Sequence, residues 1–238
     1  SVTATDIRRA YAMGLTRNRV LVAAVGDITG DELGVLVDRL LQDLPVAGDI
    51  EMPTYVADAL SAGVKVIDFP TPQSTILFGH AGIPRKDDDF FAAYLLNHIL
   101  GGSGFESRLM SEVREERGLT YGIGSFLASR QYGDLLMGQV ATANNTVVET
   151  IDVITEEWRK IADQGVTQAE LDAAKKYLTG AYPLRFDGIG PIANILAGMQ
   201  FQGLSPDYIQ TRNDRVNAVT MMDIQRVAQS LFQPEKLR

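Results

Sequence analysis

The sequence predicts an α+β protein whose mainly antiparallel sheet carries helices on one face. Strand patterns lie early in the chain and helical patterns lie late, which is an order typical of this class. Two strand patterns, at about 120–129 and about 133–142, are joined by a polar turn ending in Gly133, which indicates an antiparallel hairpin. Four threonine signatures mark the starts of helices. These three observations carry the prediction of the fold class.

Each helix signature has an aliphatic residue before a threonine and an acidic residue three positions after it. The threonine hydroxyl caps a free amide of the first turn, and the positive end of the helix dipole favours the acid. The aliphatic residues on either side form a hydrophobic staple. The four pairs are Thr3 with Asp6, Thr29 with Glu32, Thr167 with Glu170, and Thr220 with Asp223.

The first and last of these starts belong to a weak internal repeat. Thr3 and Thr220 lie 217 residues apart, and the match continues as far as Leu15 and Phe232. The repeat predicts two copies of one domain in the parent protein. This chain would then hold the tail of the first copy and nearly all of the second.

The strand that follows the first copy of the repeat has a consequence for the second. Residues 19–25 are apolar and β-branched, which predicts a buried strand. The chain reaches Leu237 and Arg238 where the equivalent strand would begin, so the second sheet is expected to have an open edge. Residues 19–25 could pair there, within one chain or in a homodimer formed by strand exchange. The predicted organisation is a first-domain tail (helix, strand, helix) at 1–44, a linker at 45–63, and a second domain at 64–238 lacking its last strand.

Hydrophobic periodicity and turn residues predict the elements of the second domain in order. It begins with two strands, and an apolar helix that ends at Gly101-Gly102 follows them. The predicted strands lie at about 64–69, 74–80, 120–129 and 133–142, and the helices at about 87–100, 104–117, 145–164, 167–182, 190–202, 205–216 and 220–232.

Composition excludes several classes of partner and chemistry. Net charge is −8, from 22 basic and 30 acidic residues, and no basic cluster could neutralise a phosphate backbone, so nucleic acid is not an expected partner. No apolar run approaches the ~18 residues that span a bilayer, so no membrane partner is expected either. The absence of cysteine excludes disulfides, thiolate zinc sites and cysteine nucleophiles.

The usual catalytic motifs are also missing. The two histidines, His80 and His98, lack the glutamates of a zinc-hydrolase motif and are interpreted as a strand residue and a core or helix-end residue. The run Gly101–Gly104 lacks the Gly-Lys-Ser/Thr end of a phosphate-binding loop. Ser103 has no histidine and acid pattern to activate it. We therefore expect no metal site in this chain and no catalytic residue acting in isolation.

The most informative stretch is 105–125, where a charged helix ends at Gly118 and an aromatic strand begins at once. Arg114 and Tyr121 lie at this junction. Both side chains can donate hydrogen bonds to peptide carbonyls, which suits the recognition of an extended backbone. On composition alone, a surface ion pair is the favoured interpretation of Arg114.

This stretch resembles a known family. Residues 101–109, 112–115 and 117–122 are similar to the signature of the C-terminal, zinc-free half of insulinase-type (pitrilysin, M16) metallopeptidases. The similarity extends over nearly the whole chain, because residues 20–27 resemble the last strand of the family's first domain and residues 177–180 resemble its late helix.

The resemblance implies a clamshell of two similar domains, with an inverted zinc motif in the first and an Arg and Tyr seven residues apart in the second. Arg114 and Tyr121 have this spacing and would hold the carbonyl of a peptide substrate as oxyanion donors. No cofactor is expected in this chain, since zinc would belong to a partner M16 domain or subunit. The chain is therefore expected to be inactive alone.

Two functions remain open at this stage. The chain is either the substrate-clamping half of a zinc endopeptidase or a non-catalytic structural or assembly subunit of an M16-like complex. Family analogy favours a bacterial protein of the periplasm, with the cytoplasm as the alternative compartment.

Overall fold

Residues 2–48, 50–56 and 61–238, which the computed structural model describes, form eight α-helices and one three-stranded antiparallel sheet. The predicted α+β class is therefore confirmed. The chain divides into two compact units, which are described separately. The first, here called the tail unit, comprises 1–54 and 182–210, and the second, the sheet unit, comprises 55–181 and 211–238.

The helices and strands have well-defined bounds. The helices are α1 (Ala4–Gly14), α2 (Gly30–Leu41), α3 (Phe90–Asn97), α4 (Val147–Gln164), α5 (Gln168–Ala181), α6 (Ile189–Phe201), α7 (Tyr208–Ala218) and α8 (Met221–Leu231). The strands are β1 (Gln73–Ala81), β2 (Ile123–Arg130) and β3 (Gly133–Ala143). Within the described ranges, no helix is long and apolar enough to cross a membrane.

All four predicted helix starts are confirmed. In α1, the Asp6 amide donates to the Thr3 hydroxyl at 3.2 Å and the Thr3 amide donates to the Asp6 carboxylate at 2.9 Å. The same reciprocal pair occurs at α2, α5 and α8. Two amides of each first turn are thereby satisfied, which explains why this local signature locates helix ends well.

The sheet has the order β1-β3-β2, and both pairings are antiparallel. Along β3 the buried residues alternate with more exposed ones, so that one face is covered by helices. On the covered face Gly138 lies opposite Phe78 of β1 and Ser125 of β2. A Cβ atom at position 138 would lie 2.3 Å from Cζ of Phe78, so the aromatic ring requires a glycine beneath it.

Trp158 of α4 forms the centre of the sheet-unit core and is fully buried. Its ring packs edge-to-face on Phe78, with 5.7 Å between centroids, and tilted on Phe232 at 5.6 Å. Its indole N–H donates to Nε2 of His80 at 2.8 Å. Nδ1 of His80 lies 2.7 Å from the carbonyl oxygen of Ala81, so the neutral ring carries its proton on Nδ1.

The two copies of the repeat have the same local structure. Helices α1 and α8 each contain 11 residues and begin with a threonine capping box. The residue after each helix, Leu15 or Phe232, donates its backbone N–H to the carbonyl four residues earlier. A single 3₁₀ turn then follows, at Arg17–Arg19 and at Pro234–Lys236. The copies differ in burial, since α8 buries apolar residues while α1 has none that are buried.

Two strands predicted from apolar patterns are not formed. Residues 20–25 have no regular structure, and the Val22 carbonyl accepts a hydrogen bond from Gln200 Nε2 at 2.8 Å. Residues 64–69 also lack regular structure, and the Val66 side chain is 83% exposed. A β-branched pattern supplies only propensity, whereas a strand also requires a paired neighbour.

The outer edge of β1 pairs instead with the last residue of the chain. Gly79 and Arg238 exchange two backbone hydrogen bonds, each 3.1 Å long. The predicted pairing of residues 19–25 at this edge is thus not formed within the chain, and strand exchange between two chains stays a prediction. The predicted domain boundaries also stay a prediction, and within the linker residue 49 and residues 57–60 lie outside the described residues.

Candidate functional site

Arg114 lies on a π-helical segment, Met110–Glu115, whose Val113 is fully buried in the sheet-unit core. A turn at 116–117 follows the segment and leads to Gly118, whose φ of 63° is a conformation that glycine adopts readily. The Gly118 amide donates to the Arg114 carbonyl at 3.0 Å, which closes the helical end. Tyr121 follows three residues later. The junction that the sequence predicts between helix and strand is therefore a tight turn.

Arg114 and Tyr121 line the same groove in the sheet unit. The groove has a volume of about 550 Å³, and the ends of β1 and β3 form one side of it. The Tyr121 side chain is 91% exposed, so its hydroxyl is open to solvent. The remaining lining residues are Gln73, Glu115, Gly118, Leu119, Thr120, Ala141 and Ala143.

Side-chain hydrogen bonds fasten the backbone that carries Tyr121 to the sheet. The Thr120 hydroxyl donates to the Ala141 carbonyl at 2.7 Å and accepts from the Gly122 amide at 3.2 Å. The buried Thr142 hydroxyl donates to the Leu119 carbonyl at 2.6 Å. Tyr121 thus has a fixed backbone and an exposed side chain, which is an arrangement suited to contacting a ligand.

The surface ion pair that composition favours for Arg114 is not observed. Among the described residues, its guanidinium has neither a carboxylate partner nor a hydrogen bond, and it lies 4.8 Å from the ring centroid of Phe105. Other arginines of the sheet unit do have carboxylate partners, including Arg108 with Glu170 and Arg117 with Glu112. The donors of Arg114 are therefore available for another acceptor.

Sequence reasoning missed Phe105, although the residue lies within the stretch that carries the family resemblance. Phe105 lies on a short 3₁₀ turn, Gly104–Glu106, between the π-helical turn His98–Gly102 and the segment that carries Arg114. An aromatic residue following a glycine-rich run was the available signal. The contact itself depends on the turn conformation, which spacing does not reveal.

Arg108 anchors this turn to the start of α5. Its guanidinium makes two hydrogen bonds with the Glu170 carboxylate, of 2.7 and 2.9 Å. Burial alone would raise the pKa of Glu170, but the hydrogen bonds from Arg108 and from the amide and hydroxyl of Thr167 outweigh it and lower the pKa. The pair therefore joins the Phe105 turn to a helix cap.

Replacing Glu170 by Gln is expected to lower the free energy of unfolding at neutral pH by about 1–2 kcal/mol. Gln keeps an acceptor for the Thr167 amide but loses the charge that pairs with Arg108. Because the pKa is lowered on folding, this stabilisation is complete above the ordinary value of 4.5 and is lost as the pH falls through the lowered value. Urea unfolding of wild type and variant should therefore converge in acid.

Glu32→Gln is the matched control for this prediction, because Glu32 forms the same capping box in α2. No cation pairs with Glu32 in the described part of the chain, so its replacement should have a smaller effect. A Glu170→Gln difference that persists unchanged in acid would show that the charge is not the source of the stabilisation.

Neither histidine fits a zinc site. Both ring nitrogens of His80 lie within hydrogen-bond distance of core groups, as described above. The His98 ring stacks on Tyr177 at 5.2 Å, and burial lowers the pKa of His98 although the charge of Glu106 acts to raise it. Among the described residues, no three His, Asp or Glu side chains are clustered as metal ligands.

Comparison with known proteins identifies several that are similar. A model of the family described as the peptidase M16 inactive domain matches residues 1–178. The non-peptidase homolog YmxG of Helicobacter pylori is 27% identical over 221 residues, which cover 92% of this chain and 50% of that protein. An uncharacterized zinc protease of Streptomyces coelicolor is 26% identical over 241 residues, which cover 98% of this chain and 52% of that protein.

A solved structure is also similar. The crystal structure of a peptidase M16 inactive domain from Pseudomonas fluorescens matches with a TM-score of 0.86 and 28% identity, covering 99% of this chain and 56% of that chain. The chain thus spans about half the length of the curated relatives it matches.

Proposed function

Because the chain belongs to the peptidase M16 inactive-domain family, we propose that it is the substrate-clamping half of a zinc endopeptidase. The observation that carries the proposal is one groove lined both by Arg114, which has no carboxylate partner among the described residues, and by the exposed Tyr121. A guanidinium with unused donors and a phenol open to solvent together suit a peptide backbone.

Each of the two side chains has a distinct task in this proposal. Arg114 supplies a permanent positive charge and several N–H donors, so it binds a carbonyl oxygen more strongly as negative charge develops there. Tyr121, which lines the same groove, supplies one O–H donor. In the complete enzyme, a partner M16 domain or subunit would hold the zinc, which would supply the activated water.

A non-catalytic role is the second candidate, and it has an observation in its favour. One relative of similar identity carries the name non-peptidase homolog, whereas another carries the name zinc protease. In the non-catalytic case the chain would act as a structural or assembly subunit of an M16-like complex. Its Arg114 and Tyr121 groove would then be a vestigial clamp with no role in cleavage.

A peptidase assay with and without the zinc-bearing partner separates the two candidates. The chain alone is expected to bind no stoichiometric zinc and to cleave no peptide, because its two histidines cannot form a zinc shell. The chain mixed with a co-encoded partner that carries an inverted zinc motif is expected to cleave an internally quenched, unstructured peptide. Metal analysis and initial rates are the measurements, and the partner assayed alone is the control.

Two outcomes would contradict this proposal. Stoichiometric zinc in the purified chain would contradict the expected absence of a zinc site, and cleavage that survives rigorous purification would show that the chain is active without a partner. Equal cleavage by the partner with and without the chain would show that this half does not clamp the substrate and would favour the structural role.

A further inference from the structure

We propose that Phe105 is a positioning residue that holds the Arg114 guanidinium in place for a peptide carbonyl, an inference that rests on the function proposed above. The guanidinium carbon of Arg114 lies 4.8 Å from the centroid of the Phe105 ring. Phe105 is 64% exposed, so its ring contributes little to the buried core. The ring is therefore at the surface, where it contacts the Arg114 guanidinium.

Hydrogen bonds inside the turn stabilise the backbone that carries Phe105. Gly104 has a φ of 64°, which permits the backbone to enter the 3₁₀ turn without strain. The Ser107 hydroxyl, in a fully buried residue, donates to the Gly104 carbonyl at 2.9 Å. The Ser107 amide donates to the same oxygen at 3.2 Å. The backbone under the Phe105 ring is therefore closed by two hydrogen bonds to one carbonyl.

An ion pair with α5 also fixes the position of this turn. Arg108 follows Ser107 directly and makes the two hydrogen bonds with Glu170 at the start of α5. Leu109, the next residue, is fully buried in the core. Phe105 thus projects from a turn that is closed by hydrogen bonds and fixed on its C-terminal side, whereas Arg114 is a long side chain with many rotamers. The ring is the rigid partner of the contact and the arginine is the adaptable one.

An aromatic ring and a carboxylate hold a guanidinium in different ways. A carboxylate takes up N–H donors in hydrogen bonds and offsets the positive charge, as Glu170 does with Arg108. A ring face attracts the cation and leaves the N–H donors in the guanidinium plane available. Phe105 therefore restricts the motion of Arg114 without using the donors that a peptide carbonyl needs.

The test uses the complete two-component enzyme and an internally quenched peptide, with Phe105→Leu, Phe105→Trp, Arg114→Ala and the Phe105→Leu/Arg114→Ala double variant. We expect Phe105→Leu to lower kcat about fivefold, the size of an exposed cation–π contact, with KM nearly unchanged. Phe105→Trp should keep kcat at the wild-type value, because tryptophan is the strongest cation–π partner. In the Arg114→Ala background, Phe105→Leu should cause no further loss.

Phe126→Leu serves as the control, because Phe126 is a part-exposed aromatic residue on β2, at 46% exposure. Thermal unfolding of Phe105→Leu should match the wild type. If Arg114→Ala leaves kcat unchanged, the proposed clamp itself fails. If Arg114→Ala lowers kcat while Phe105→Leu does not, or if the Phe105→Leu loss persists in the double variant, the clamp stands and the positioning role of Phe105 is refuted.

Discussion

Replacing Arg114 by Ala or Tyr121 by Phe in the two-component enzyme is expected to lower kcat by about 10²–10³-fold each, the loss typical of one oxyanion donor. The reason is that each change removes a donor whose hydrogen bond strengthens as the carbonyl oxygen gains charge. Little effect on folding is expected, because the Tyr121 side chain is 91% exposed and Arg114 has no ion pair among the described residues.

Steady-state kinetics with the quenched peptide measure this effect. A lower kcat at nearly constant KM indicates a contact made mainly in the transition state, whereas a higher KM alone indicates equal binding of substrate and transition state. Arg117→Ala and Tyr11→Phe are matched controls, since Arg117 pairs with Glu112 and Tyr11 lies in α1. Normal turnover per folded molecule, with only reduced thermal stability, would assign Arg114 and Tyr121 a structural role.

The second large effect is expected at the core. Trp158→Ala should lower the free energy of unfolding by about 3–5 kcal/mol, the range for deleting a large buried aromatic side chain. The change leaves a cavity between Phe78 and Phe232 and removes the N–H donor to His80. Denaturant unfolding followed by far-UV circular dichroism is the measurement, because Trp158 is the single tryptophan and its fluorescence would be lost.

Trp158→Phe separates packing from hydrogen bonding at this position. Phenylalanine keeps most of the ring contacts but cannot donate to Nε2 of His80, so it should have an intermediate effect. Phe126→Ala, at a part-exposed position, should have a smaller effect. A Trp158→Ala loss no larger than that of Phe126→Ala would refute the central position of this tryptophan in the core.

The parts of the fold that the sequence predicts well are those determined by near neighbours. The Glu170 of the capping box lies three residues after Thr167, and the hairpin whose turn ends at Gly133 joins two strands that are adjacent in sequence. The predictions of strands at 19–25 and 64–69 were wrong because strand pairing depends on residues far away in sequence. Arg238, far away in sequence, occupies the edge of β1 opposite Gly79.

In the candidate site, too, the sequence predicts the local features and misses those that depend on the folded backbone. The spacing of Arg114 and Tyr121 could be read from the sequence, and the family resemblance supplied their proposed role. The contact of Phe105 with Arg114 could not be predicted, because it depends on the backbone conformation at Gly104. The fastening of Thr120 to Ala141 could not be predicted either, because it joins residues brought together only by the sheet.

The two copies of the repeat allow a comparison inside one molecule. Helices α1 and α8 have the same length, the same capping box and the same closing hydrogen bond, but only α8 buries apolar residues. Amide protons of α1 can exchange with solvent when that helix alone frays, whereas those of α8 require the sheet unit to open. Because the capping is the same in both helices, the difference between their free energies of amide exchange reports the stability that burial adds to α8.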